Sequence, residues 1–163
     1  VPCASVTQCL QIHDIASSAD GELYVVGTYA GTVDVDPDEA RSEDIGGGGY
    51  LAKYDADGAL LWALPLSADP NSVAATPDGV VVAGEFEGTV DFDASAGSAT
   101  RTSNGDTDLF FATYSEEGSF VDVIALGGTG GDSVVASGLA VRGDVVAPAA
   151  GYGGTFGADP SAS

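Results

Sequence analysis

The chain has 163 residues, 25 of them acidic against four basic, for a formal net charge of −21. Phosphate recognition needs clustered Lys and Arg, so a cationic complement of Arg41, Lys53, Arg101 and Arg142 argues against nucleic acid and against anionic membrane surfaces. A hydrophobic fraction of 44% with glycines at turn-like intervals argues against a disordered acidic chain, and the longest apolar run, residues 59–66, falls far short of the roughly 20 residues of a membrane span.

The chain opens on Val1-Pro2-Cys3 without an initiator Met, as a processed chain does. Cys3 and Cys9 are its two cysteines, and no second Cys/His pair is present to build a zinc site. They are expected to form a disulfide, within the chain or to a neighbouring chain; the competing reading is a pair of buried thiols. Residues 1–11 form an extension ahead of the repeats. Val6, Leu10 and Ile12 lie on one face of an extended segment, with Thr7, Gln11 and His13 on the other and Gln8 breaking the apolar side. That pattern predicts an extra strand before the first repeat.

Three repeat units follow, at residues 12–66, 71–127 and 132–163, the last of them partial. The segment Gly21-Glu-Leu-Tyr-Val-Val-Gly-Thr-Tyr-Ala-Gly-Thr-Val-Asp-Val-Asp36 matches Gly79-Val-Val-Val-Ala-Gly-Glu-Phe-Glu-Gly-Thr-Val-Asp-Phe-Asp93. A second pair matches Tyr50-Leu-Ala-Lys-Tyr54 to Phe110-Phe-Ala-Thr-Tyr114, and each continues through a Gly at 58 or 118. Each complete unit predicts four strands: residues 12–17, the Val-x-Gly and Gly-Thr-Val-Asp run, residues 50–54 and residues 59–66 in the first. The second has the same at 72–76, 79–93, 109–114 and 119–126. Asp20-Gly21, Asp57-Gly58 and Asp78-Gly79 are hairpin turns, because both central positions tolerate positive φ. No window has helical periodicity, so the expected class is all-β without helix. The third unit, with a strand at 133–141, is degenerate, and Pro148 interrupts its second strand where a central strand cannot spare an N–H.

Tandem four-strand antiparallel units are the sequence signature of propeller blades. Residues 21–37 and 50–63 resemble the bacterial SBBP-type β-propeller repeats of secreted and cell-surface proteins. Residues 79–93 and 108–125 resemble them with substitutions, notably Asp122 where Trp62 would recur. The resemblance implies propeller-like blades and an extracellular or cell-surface setting, and it brings no catalytic residues with it.

Two and a half units do not close a propeller of four to eight blades. The array is therefore open or completed between subunits. The expected function is a non-enzymatic structural subunit of a surface assembly or filament, whose partner is itself. The extra strand around Val6, Leu10 and Ile12 would add to the incomplete third unit of the next copy. The alternatives are a binding module of a larger propeller that recognises a glycan or protein, or a self-contained monomer.

Asp34, Asp36 and Asp38, repeated as Asp91 and Asp93, are candidate calcium ligands, since hard carboxylate oxygens suit that ion. A solvated acidic rim and turn chemistry are the competing reading, because the spacing is not that of the 12-residue calcium loop. The tract 46–49 and the run 127–131 are flexible connections rather than phosphate loops, with no Lys following and no helix beginning. His13 is the single histidine and offers no triad.

Overall fold

The computed structural model describes residues 9–38, 44–46, 48–128, 133–142 and 145–153, and within these it is all strand and turn. The first repeat supplies β1 (Cys9–Ser17), β2 (Leu23–Ala30), β3 (Thr32–Asp34), β4 (Asp44–Gly46), β5 (Gly49–Tyr54) and β6 (Leu60–Leu66). The second supplies β7 (Asp69–Thr76), β8 (Gly79–Asp91), β9 (Thr100–Ser115) and β10 (Phe120–Leu126), and the third β11 (Ser133–Arg142) and β12 (Val145–Gly153). β1-β2-β5-β6 form one antiparallel sheet and β7-β8-β9-β10 a second, each in chain order, with β3-β4 and β11-β12 as two-stranded ribbons.

Local chemistry explains the hairpins. At residues 55–59, the Asp55 carbonyl accepts from Gly58 N–H and the Asp55 side chain accepts from the N–H groups of Asp57 and Ala59. Ser115 does the same in the second sheet with its hydroxyl, toward Glu117 and Ser119. Gly58 and Gly118 carry the positive φ that such turns demand, at 86° and 80°.

The repeated Val-x-Gly element is a packing device. A Cβ on Gly27 would strike the Gln11 carbonyl and the Tyr50 ring; on Gly84 it would strike the Asp69 carbonyl and the Phe110 ring. Glycine lets the first strand of each sheet and an aromatic of the third close over the second.

Directly opposed residues share a face. The register therefore puts Tyr24, Val26 and Leu51 on one face of the first sheet, against Val73, Val80, Val82, Phe110, Ala112 and Tyr114 of the second. The other face of the second sheet, through Ala83, Leu109 and Phe111, meets Ala136 and Leu139 of β11. Stacked sheets thus share one buried core with a smaller satellite.

The structure corrects the reading of the first residues. Leu10 and Ile12 do not belong to a separate strand: they lie within β1, opposite Tyr29 and Gly27. A bulge between Ile12 and Asp14 breaks the alternation of side chains there. Val6 and Cys3 lie outside the described residues, as do Gly143 and the end of the third unit. Pro148 does not interrupt its strand: β12 runs through it opposite Leu139, and among the described residues β12 pairs on one side only.

Candidate functional site

Asp14, next to the bulge, fastens the two leading strands together. Its Oδ2 accepts from Ser72 Oγ at 2.9 Å and from Val73 N–H at 3.0 Å, so β1 holds β7 through a side chain. His13, the bulge residue itself, donates from Nδ1 to the Pro70 carbonyl at 2.7 Å, and its Nε2 stands 3.2 Å from the Thr28 hydroxyl. Both ring nitrogens therefore have partners in the fold.

At the opposite edge a second fastening joins the sheets. Lys53, 4% exposed, pairs with Glu22 at 2.7 Å, donates to the Glu116 carbonyl at 3.2 Å and lies 5.3 Å from the Tyr24 ring centroid. Burial opposes its charge, but the Glu22 carboxylate and Tyr24 outweigh that and hold its pKa above the ordinary value. Sequence reasoning did not single out Lys53, Asp14 or Glu116. An isolated Lys in the middle of an apolar strand was the available signal.

The candidate calcium ligands serve the backbone. Asp34 accepts from Asp36 N–H and Asp36 from Asp38 N–H, both at 3.0 Å. Asp91 accepts from Asp93 N–H at 3.1 Å and Ala99 N–H at 2.7 Å, and Asp93 accepts from Ser95 N–H. The Ala99 and Asp93 N–H groups hold the Asp91 carboxyl below its ordinary range. Among the described residues no three His, Cys, Asp or Glu side chains gather as a metal set. The repeated aspartates form successive side-chain turns at the ends of β3 and β8, and turn chemistry is the reading this geometry supports.

Cys9 opens β1, and among the described residues no cysteine is free. The expected pairing with Cys3 falls outside the described residues.

The first sheet's far face carries Val25, Tyr29, Tyr50, Ala52 and Leu60 under Val35. Tyr54 donates to the Val35 carbonyl at 2.8 Å, and Tyr114 repeats this with Phe92 at 3.0 Å in the second sheet. Beside this patch, Leu10, Ile12 and Ile15 are 41%, 57% and 53% exposed. A polar cavity of about 610 Å³ opens at one end of the stacked sheets, lined by Gln11, His13, Thr28, Tyr29, Asp69, Asn71 and Glu85 among others.

No family model matches the chain, and no curated protein matches it in sequence.

Proposed function

We propose that this chain is a non-enzymatic extracellular structural protein whose sheets are propeller-like blades of the SBBP-repeat kind, and that copies assemble blade face to blade face. One comparison carries the reading. Aligning Gly27 with Gly84 makes Leu10, Ile12 and Ile15 of β1 equivalent to Ala68, Pro70 and Val73 at β7. Ala68 and Val73 are 7% and 4% exposed and Pro70 is fully buried, because the first sheet lies over them. The equivalent face of the first sheet is apolar and receives no such sheet from the described residues.

A second copy offering a sheet of the same build would cover that face. Since Leu10 and Ile12 already pair with β2, packing of faces is better supported than insertion of their strand into another blade. The extracellular setting rests on the repeat resemblance, the acidic composition and the two early cysteines. The alternative is a binding module of a larger propeller that recognises a glycan or protein; the polar cavity favours it.

Light scattering after gel filtration, at moderate salt and without reductant, tests the assembly. The expected particle is several times the 16.1 kDa chain. The double variant Ile12→Asp/Ile15→Asp is expected to reduce it to monomer with an unchanged β-sheet circular dichroism spectrum. A wild-type monomer sinks the proposal.

A further inference from the structure

The leading strands of the three units, β1, β7 and β11, carry a one-residue bulge at the same register. It falls at His13 between Ile12 and Asp14, at Asn71 between Pro70 and Ser72, and at Ser137 between Ala136 and Gly138. Counted from the bulge, Ile12, Pro70 and Ala136 are equivalent, and so are Ile15, Val73 and Leu139. In the second and third units these residues lie on the preceding unit. Pro70, Val73 and Ala136 are buried, and Leu139 packs against Ala83 and Leu109. Ile12 and Ile15 are exposed.

The opposite faces show the complementary difference. On the face that receives the following unit, the second strand presents Tyr24 and Val26 in the first unit, Val81 and Ala83 in the second, and Ala147 and Ala149 in the third. The first four are at most 7% exposed. Ala147 and Ala149 are exposed, as is Ala140 opposite Ala147. A Cβ on Gly138, on the same face, would meet nothing within 4 Å.

Both junctions inside the chain have one build. β7 lies across β1, β2 and β5, and β11 lies across β7, β8 and β9, the first three strands of the preceding sheet. A leading-strand face therefore meets a receiving face each time, and two leading-strand faces meet at neither junction. Among the described residues, the leading-strand face of the first unit and the receiving face of the third are the two left bare. End units with a polar outer face keep a repeat array soluble, and these two outer faces present isoleucine and alanine instead.

We infer that association is head to tail: β1 of one copy lies on the outward face of the β11–β12 hairpin of the next. The inference rests on the proposed face-to-face assembly and adds which faces meet. Bulk is complementary across the contact, since the large Tyr24 and Val26 receive Ala68 and Val73 inside the chain, and the small Ala147 and Ala149 receive Ile12 and Ile15 between copies. A contact between two different faces is heterologous, so it propagates into a ring or a filament rather than stopping at a dimer.

The test is a mixing experiment, read by light scattering after gel filtration at moderate salt. A head variant, Ile12→Asp/Ile15→Asp, keeps its receiving face; a tail variant, Ala147→Asp/Ala149→Asp, keeps its leading face. Each alone is expected at the 16.1 kDa chain mass. Mixed in equal amounts, they should form a dimer of one copy of each and nothing larger. Pairing of two β1 faces predicts instead that the tail variant assembles like wild type. That result, or a mixture that stays at chain mass, overturns the inference while face-to-face assembly stands. A wild-type chain that is itself monomeric sinks both. Should the aspartates cost the tail variant its β-sheet circular dichroism, Ala147→Thr/Ala149→Thr takes its place, because threonine suits a strand. Its added bulk and hydroxyls are expected to raise the concentration at which the assembly half-dissociates by about tenfold, and an unmoved midpoint overturns the inference.

Discussion

Trp62 of the first sheet donates its indole N–H to the carbonyl of Glu116, in the β9–β10 hairpin of the second sheet, at 2.9 Å. The ring lies beside Tyr24, with centroids 6.1 Å apart, and against Gly118, where a Cβ would come within 3.1 Å of it. One side chain thus supplies apolar area and a directed bond to the same junction. Trp62→Phe keeps most of the area and loses the bond, so urea unfolding should show a loss of about 1 kcal/mol. Trp62→Ala also removes the packing and is expected to cost about 3 kcal/mol.

The same position in the second repeat is Asp122, opposite Thr113 as Trp62 is opposite Lys53. Neither the indole anchor nor the lysine fastening recurs where the second sheet meets β11. Amide protons of β11 and β12 are therefore expected to exchange faster than those of β8 and β9 in native-state hydrogen exchange. Equal protection would mean that the third unit is held by contacts other than those of Ala136 and Leu139.

Gly84 is enclosed by the Asp69 carbonyl, Pro70 and the Phe110 ring, the last 2.8 Å from an added Cβ. All three are backbone or ring atoms with little room to yield. Gly84→Ala should therefore destabilise by about 2 kcal/mol or more, through overpacking rather than backbone conformation. Gly138, which has open space around it, is the control: Gly138→Ala should be nearly neutral in the same thermal melt.

Much of this was legible in the sequence because it is local or repeated. Asp55 and Ser115 build the same turn from different side chains, and Tyr54 and Tyr114 reach equivalent carbonyls, those of Val35 and Phe92, so matching the two repeats paired the two tyrosines. Residues 9–11 were set apart from β1 because the bulge at His13 shifts the side-chain alternation, and pattern alone could not carry the strand across it. Asp34, Asp36, Asp38, Asp91 and Asp93 were ambiguous because a side-chain turn and a calcium site use the same carboxylate oxygens; the structure adds the N–H groups that one oxygen of Asp34, Asp36, Asp91 and Asp93 accepts from. The cavity was the least legible feature. Gln11 comes from the first sheet and Asp69 and Glu85 from the second, so they meet only once the sheets stack, and the sequence had placed only Gln11 and His13 together on one face.

Alkaline pH should unfold the protein through its buried phenols. Burial raises Tyr50 to about 12, and it raises Tyr54 and Tyr114 as well, with the Asp36 and Asp93 charges adding to those two respectively. A raised folded pKa contributes stability that is complete below the unfolded value near pH 10 and is lost as pH climbs through the folded one. The unfolding free energy is thus expected to be flat from neutrality to about pH 10 and to fall above it. Phenolate absorbance should rise together with loss of the β-sheet signal. Tyr114→Phe removes one titrating group and the bond to Phe92, so it should be less stable at neutral pH but lose less on going to alkaline pH.

Acid acts through Asp91 with the opposite sign. The Ala99 and Asp93 N–H groups hold its folded pKa below the ordinary carboxylate value. Its contribution is therefore present above the unfolded pKa, near 4, and is lost as pH falls through the folded value. Protonation of the chain's other carboxylates relieves the repulsion of a −21 charge over the same range, so the useful quantity is a difference between variants. Asp91→Ala is expected to be less stable than wild type at neutral pH, with the gap closing below about pH 4. Its weakened exchange protection should be confined to the outer ladder, from Thr89 opposite Thr102 to Asp91 opposite Thr100. A gap that stays constant down through pH 3 or so would mean that Asp91 stabilises the hairpin by something other than its ionised carboxylate.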